Sequence, residues 1–137
     1  MKLSDQQLKQ IIDQHRKFTV LGLSPDTTKP SYKVPYYMKT QGWDPVGVYP
    51  KPTSVEGFQM YQKLADVPAP YRKFVDVFRR SETIPEVVEE VLKVGGVEVL
   101  WLQMGITHLE AERKAEAAGL TVISDRCLHI EHARLFK

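Results

Sequence analysis

Phe18-Thr19-Val20-Leu21-Gly22-Leu23 is a short apolar run with β-branched residues at its centre, and Ser24-Pro25-Asp26-Thr27-Thr28-Lys29-Pro30 follows it. The run has the length and composition of a buried strand. The polar, proline-containing segment reads as a loop. A helix is expected from about Ser31 to Thr40, stopping at Gly42, because glycine accepts the left-handed turn at a helix end. A strand, a glycine turn and a helix in that order open an alternating α/β chain.

On the N-terminal side, Leu3, Leu8, Ile11 and Ile12 recur at roughly helical spacing. Ser4 and Gln7 have the spacing of a capping box, which predicts a helix from about Asp5 to Arg16. On the C-terminal side, Val46 to Tyr49 reads as a second strand, ended by Pro50. Residues 51–73 show little periodicity and read as a connection punctuated by Pro52, Pro68 and Pro70. Phe74 to Phe78 is a third strand. A helix follows from Pro85 to Lys93, with Ile84, Val87, Val88, Val91 and Leu92 on one face. Val97 to Leu102 is a fourth strand, Thr107 to Ala118 a helix, Leu120 to Ile123 a fifth strand, and His129 to Phe136 a closing helix. Helices between near-continuous apolar strands imply a five-stranded parallel sheet with helices on both faces. Ligands of such sheets sit beyond the carboxyl ends of the strands, where the strand order reverses. The loops after Gly22, Val48, Phe78, Leu102 and Ile123 are therefore expected around one crevice.

With 137 residues, the chain suits one domain spanning residues 1–137. It is 42% hydrophobic and 26% charged, a globular composition. The single cysteine, Cys127, cannot form an internal disulfide. The balance of 19 Lys and Arg against 17 Asp and Glu, net +2, lacks the basic footprint of a nucleic-acid binder. No apolar run approaches the ~20 residues of a membrane span. Met1-Lys2-Leu3-Ser4-Asp5 lacks the apolar centre of a signal peptide, so a cytoplasmic protein is expected, with neither nucleic acid nor membrane as a partner.

The first crevice loop carries Ser24, Lys29 and Ser31 around the start of a helix, a setting that favours an anion. The alternative is that Gly22 and Pro25 merely form a turn and Ser31 caps the helix. After the second strand stands Lys51, where a nicotinamide dinucleotide site has an acid for the ribose hydroxyl. A lysine suits an additional phosphate; standing alone, it reads more readily as a solvated surface residue. Arg79 and Arg80 follow the third strand, where the guanidinium fork suits phosphate. They are balanced by Glu82 and Glu86, with which they could pair. Gln103 and the Gly105 backbone, after the fourth strand, can hydrogen-bond an amide or carbonyl, or simply form a turn.

Gly22-Leu23-Ser24, Pro30-Ser31-Tyr32, Val48-Tyr49-Pro50, Asp76-Val77-Phe78-Arg79-Arg80, Trp101 to Ile106, Asp125-Arg126-Cys127 and Glu131-His132 stand in order along the chain. Together this set resembles the small, single-domain CoA-binding proteins of bacteria and archaea. These are similar to the CoA-binding domain of the succinyl-CoA synthetase α subunit standing alone. The resemblance runs from about Phe18 to Leu135. It implies a Rossmann-like fold with coenzyme A, or an acyl-CoA, at the strand carboxyl ends, as the ligand of a non-catalytic or accessory binding protein. It places the Gly22–Ser24 turn and Ser31 at the pyrophosphate, and Pro50 and Lys51 near the adenosine and its 3′-phosphate. It places Phe78, Arg79 and Arg80 beside the nucleotide, and Gln103, Gly105 and Ile106 along the pantetheine arm. Leu23, Lys29 and Tyr32 belong to the same motifs. The chain departs from the family pattern at Tyr49, usually Asn, where a ring bears on the adenosine pocket. It departs also at Gly42-Trp43-Asp44-Pro45 and at Gln62.

No catalytic constellation is expected, and the phosphorylated-histidine domain of succinyl-CoA synthetase has no counterpart here. His129 and His132 stand three apart without an evident third metal ligand. A buried, inert Cys127 is favoured over a thiol facing the crevice. Asp125 and Arg126 read equally as catalytic candidates or as a strand-end ion pair. The aromatic stretch from 32 to 61 offers an alternative function, weighed equally against the rings being core or lying singly on the surface. Tyr36, Tyr37, Met38, Trp43, Tyr49, Phe58, Met60 and Tyr61 are of the types enriched in protein interfaces. They suggest a protein-docking surface, natural or introduced by design on a CoA-binding scaffold.

Overall fold

The capping box at Ser4 is formed: its hydroxyl accepts from the Gln7 N–H, and the Gln7 side chain accepts from the Ser4 N–H. The computed structural model describes residues 3–137. The helix so capped is α1 (Asp5–Gln14). It is followed by β1 (Lys17–Leu21), α2 (Pro30–Thr40), β2 (Asp44–Val48), β3 (Met60–Tyr61) and α3 (Ala69–Arg72). Then come β4 (Phe74–Val77), α4 (Ile84–Val94), β5 (Val99–Leu102), α5 (Leu109–Ala117), β6 (Thr121–Ile123) and α6 (Leu128–Leu135).

The strands form one sheet in the order β3-β2-β1-β4-β5-β6, and every pairing is parallel. The sheet has six strands, not the five expected. The sixth is β3, paired through Gly47 with Met60 and Val48 with Tyr61. Two residues cannot display a period, so hydrophobic patterning could not find them. The one-turn α3 was missed for the same reason. Its place is set by Tyr71, whose carbonyl accepts from Thr19 Oγ1 on β1 at 2.7 Å.

Alternation along the strands divides the core in two. Val75, Val77, Leu100 and Leu102 face α4 and α5 with Ile84, Val88, Val91 and Ala115. Phe18, Val20, Phe74 and Trp101 face the other way, with Leu8 and Ile12 of α1, Val34 and Met38 of α2, and Leu128 of α6. Both faces of the central strands are covered, which is why these strands read as unbroken apolar runs. No helix among the described residues is long and apolar enough to cross a membrane.

The reversal of strand order lies between β1 and β4. The chain leaves β1 toward β2 and leaves β4 toward β5, so a crevice opens at the carboxyl ends of this pair.

Candidate functional site

Gly22 sits at that reversal. Its N–H bonds the Val48 carbonyl at 2.8 Å, and the neighbouring Phe78 N–H bonds the Leu21 carbonyl at 2.9 Å. Gly22 has φ +92°, and a Cβ added there would stand 2.5 Å from the Phe78 carbonyl oxygen. Only glycine permits both this backbone and this approach. The chain then turns through Ser24, whose hydroxyl accepts from the Asp26 N–H at 3.0 Å. Asp26 in turn accepts from the backbone and hydroxyl of Thr28, and these bonds hold its carboxyl below the usual value. The loop is thus ordered by its own side chains before it delivers Lys29 to the start of α2.

Lys29 occupies the N-cap position, and no side chain caps the helix. Ser31, weighed as a cap, lies inside the first turn instead. The start of the helix therefore meets the crevice without a side-chain cap, its Tyr32 and Lys33 N–H groups bonding the Lys29 carbonyl. Arg79, half-buried after β4, lines the same space. Neither Arg79 nor Arg80 forms an ion pair with Glu82 or Glu86 among the described residues.

Two adjoining cavities share Lys29, Ser31, Phe78 and Arg79. The smaller, about 310 Å³, adds Gly22, Ser24, Tyr49 and Pro50. The larger, about 540 Å³, adds Pro30, Gln103, Met104, Ile106, Cys127 and Ile130. All five expected loops contribute, and α6 adds a wall. Both cations, Lys29 and Arg79, stand where the two cavities meet; beyond them the smaller cavity is lined by Gly22, Ser24, Tyr49 and Pro50, and the larger mostly by apolar side chains.

Gln103, almost fully buried, marks the apolar end. It donates through Nε2 to Asp76 Oδ1 at 2.6 Å. Asp76 is completely buried in the middle of β4, and its Oδ2 has no partner. Burial pushes its carboxyl up to about 8, against the opposing effect of the Gln103 bond. It is therefore mostly neutral at physiological pH. This buried acid holds the amide that lines the crevice.

Several expected residues fall elsewhere. Leu23 is wholly buried in the core, so only its backbone belongs to the loop. Tyr32 stacks on Tyr36 with ring centroids 5.8 Å apart and meets Phe58 edge-on; it lines neither cavity. Lys51 and Arg80 are exposed and line neither. The Gly105 N–H is already bonded to Asp125 Oδ1 at 2.7 Å, which removes it as a donor to a ligand. The expected pairing of Asp125 with Arg126 is absent: Arg126 bonds Glu131 at 3.0 Å instead. Cys127, favoured as buried and inert, is half-buried and faces the larger cavity. Met104, Cys127 and Ile130 are the lining residues that patterning did not select; Ile130 was detectable only as an apolar residue off the core face of its helix.

The aromatic stretch also divides. Met38 is fully buried and Trp43 is 5% exposed, with its indole N–H on the Ile12 carbonyl at 3.1 Å. Both are core, which corrects their assignment to a docking surface. Tyr49 lines the smaller cavity beside Pro50 and leaves it open. Tyr61, half-buried, packs against the α4 side of the core, and Met60 and Phe58 against the other. Tyr37 donates to or accepts from His132 Nδ1 at 2.9 Å, and its ring stacks on His129 at 3.6 Å. The two histidines thus fasten α6 to α2. Burial, then the charges of Arg16 and His129, holds the His132 imidazole below its ordinary value. Tyr36, 51% exposed, is the one large aromatic left open among the described residues.

Known proteins place this crevice in context. The uncharacterized protein YneT of Bacillus subtilis is 32% identical over 130 residues, covering 95% of each chain. The solved structure of cell-free ID.343 from Thermus thermophilus has 34% identity and a TM-score of 0.90, covering 98% of this chain and all of the other. A hypothetical protein from Pyrococcus horikoshii OT3 has 32% identity and the same score, covering 98% of this chain and 94% of its own. The family described as CoA binding domain matches residues 16–133, which include all five crevice loops. The match over residues 16–133, with 32% identity to YneT over 95% of each chain, makes this chain a member of the CoA-binding domain family.

Proposed function

We propose that the protein binds coenzyme A, free or as a thioester, as an accessory module that performs no chemistry of its own. The observation that supports this most is the division of the crevice. Coenzyme A is anionic at its nucleotide end and neutral along its pantetheine arm. The smaller cavity, with Lys29, Arg79, Ser24, Ser31 and the start of α2, suits the phosphates. Tyr49 and Pro50 suit the adenosine, the ring of Tyr49 supplying a flat face where the family usually has Asn. Gln103 and Ile106 suit the arm, the one offering an amide and the other an apolar wall. Val48 is followed by Tyr49, Pro50 and Lys51, with no acid before Glu56, so an unphosphorylated nicotinamide dinucleotide is a poorer fit.

Thermal and urea unfolding with added ligand tests this. Coenzyme A at 100 times its dissociation constant should stabilise the fold by ~2.7 kcal/mol, with NAD giving far less at equal concentration. Arg79→Gln should weaken binding by about tenfold, since an Arg–phosphate contact is charge-assisted. No shift at millimolar coenzyme A would overturn the reading. Steady release of free thiol from acetyl-CoA, followed with a thiol reagent, would overturn its non-catalytic part.

A further inference from the structure

Phosphates and pantetheine leave part of the larger cavity unexplained. Beyond Lys29 and Arg79, which also line the smaller cavity, its wall carries no charge. Met104 and Ile130 stand on this wall 60% and 53% exposed. They are two of the four large hydrophobic side chains left exposed among the described residues. Large apolar side chains gathered at one cavity, next to a polar ligand end, mark a surface that an apolar group covers.

We propose that this wall receives the acyl group of an uncharged aliphatic acyl-CoA of short to medium length. The inference rests on the coenzyme A reading and names the ligand form that the crevice prefers. Methylenes laid against Met104, Ile106 and Ile130 leave water, which is favourable in proportion to the area covered. A carboxylate at the end of a dicarboxylic acyl chain would lose hydration there with no cation beyond those already facing the phosphates. The wall therefore selects for hexanoyl-like chains and against succinyl-like ones.

Calorimetric titration of the full chain with coenzyme A, hexanoyl-CoA, succinyl-CoA and adenosine 3′,5′-bisphosphate separates the possibilities. Hexanoyl-CoA is expected to bind about tenfold more tightly than coenzyme A, less than full burial of its methylenes would give because the wall is open to solvent. Succinyl-CoA is expected to bind no more tightly than coenzyme A. Ile130→Glu, at an exposed position, should bring the hexanoyl-to-free ratio toward one, whereas Tyr36→Ala, which lines neither cavity, should leave that ratio alone. Equal affinities for coenzyme A and its two thioesters, a preference for succinyl-CoA, or a ratio unmoved by Ile130→Glu would overturn the acyl proposal while coenzyme A binding stands. Failure of both coenzyme A and the bisphosphate to bind would remove the coenzyme A reading itself, and this inference with it.

Discussion

Asp76 is a carboxyl in the centre of a parallel sheet, with Gln103 its only side-chain partner and Oδ2 unbonded. Its value lies at about 8 in the fold against an ordinary 3.8. Between those values the folded chain holds a proton that the unfolded chain releases. The resulting stabilisation is complete below the unfolded value and is lost as pH rises through the folded one. Asp76→Asn has no such proton. Urea unfolding of both proteins at several pH values between 4 and 9 should show the wild type losing stability relative to the variant as pH rises. A constant difference would mean that the carboxyl is ionised in the fold throughout. Gly22 is the second residue on which the site turns. Gly22→Ala combines an unfavourable φ with an overlap on the Phe78 carbonyl and should cost about 3 kcal/mol in equilibrium unfolding. A neutral substitution would show that the junction of β1 and β4 is looser than its geometry indicates.

At the scale of elements, α2 serves the site with its N-terminus and the core with one face. Val34 and Met38 are buried, and Trp43 just beyond the helix sits under Arg16, whose guanidinium lies 4.0 Å from the ring centroid. Trp43→Ala should therefore destabilise the fold by about 3–5 kcal/mol. Tyr36→Ala, on the open face of the same helix, should cost about 1 kcal/mol or less. Chemical denaturation of the two variants side by side distinguishes core from surface; similar losses would contradict the burial seen here. The far end of the crevice depends on α6, which the His132–Tyr37 contact holds against α2. Because His132 is held below its ordinary value, its stabilising contribution is present at neutral pH and is lost as pH falls. Amide exchange in α6 should accelerate in mild acid more than exchange in α4, once the intrinsic pH dependence of exchange is removed.

Across the whole molecule, the central strands contribute to both halves of the core: Phe74 to one and Val75 to the other, Trp101 to one and Leu100 to the other. Neither helical layer can leave without exposing a sheet that the other layer still needs. One cooperative transition is expected, with tryptophan fluorescence and far-ultraviolet circular dichroism coinciding in urea. Separate midpoints would mean that the two layers unfold independently. Element types were legible along the chain because burial writes a period of two or 3.6 into a strand or helix long enough to show it. The helix entered at Pro85 carried that signal, while the Ser4–Gln7 capping box and the unbroken apolar run from Phe18 to Leu23 marked a helix start and a strand covered on both faces. The first loop was legible as well, since a glycine between strand and helix restricts what can stand there. Met60–Tyr61 and Ala69–Arg72 carried no signal, being too short to have a period.

By itself, then, the sequence determined an alternating α/β chain, a glycine turn between its first strand and the next helix, and a lysine rather than an acid close after β2. Tertiary structure alone decided which loop residues meet. It drew Cys127 and Ile130 into the crevice, turned Trp43 and Met38 inward, committed the Gly105 N–H to Asp125, and set Asp76 beneath Gln103. The reason is physical: periodicity arises between neighbours in the chain, whereas a site arises between strand ends brought together by the order of pairing, and that order is stored in long-range packing that no local pattern records.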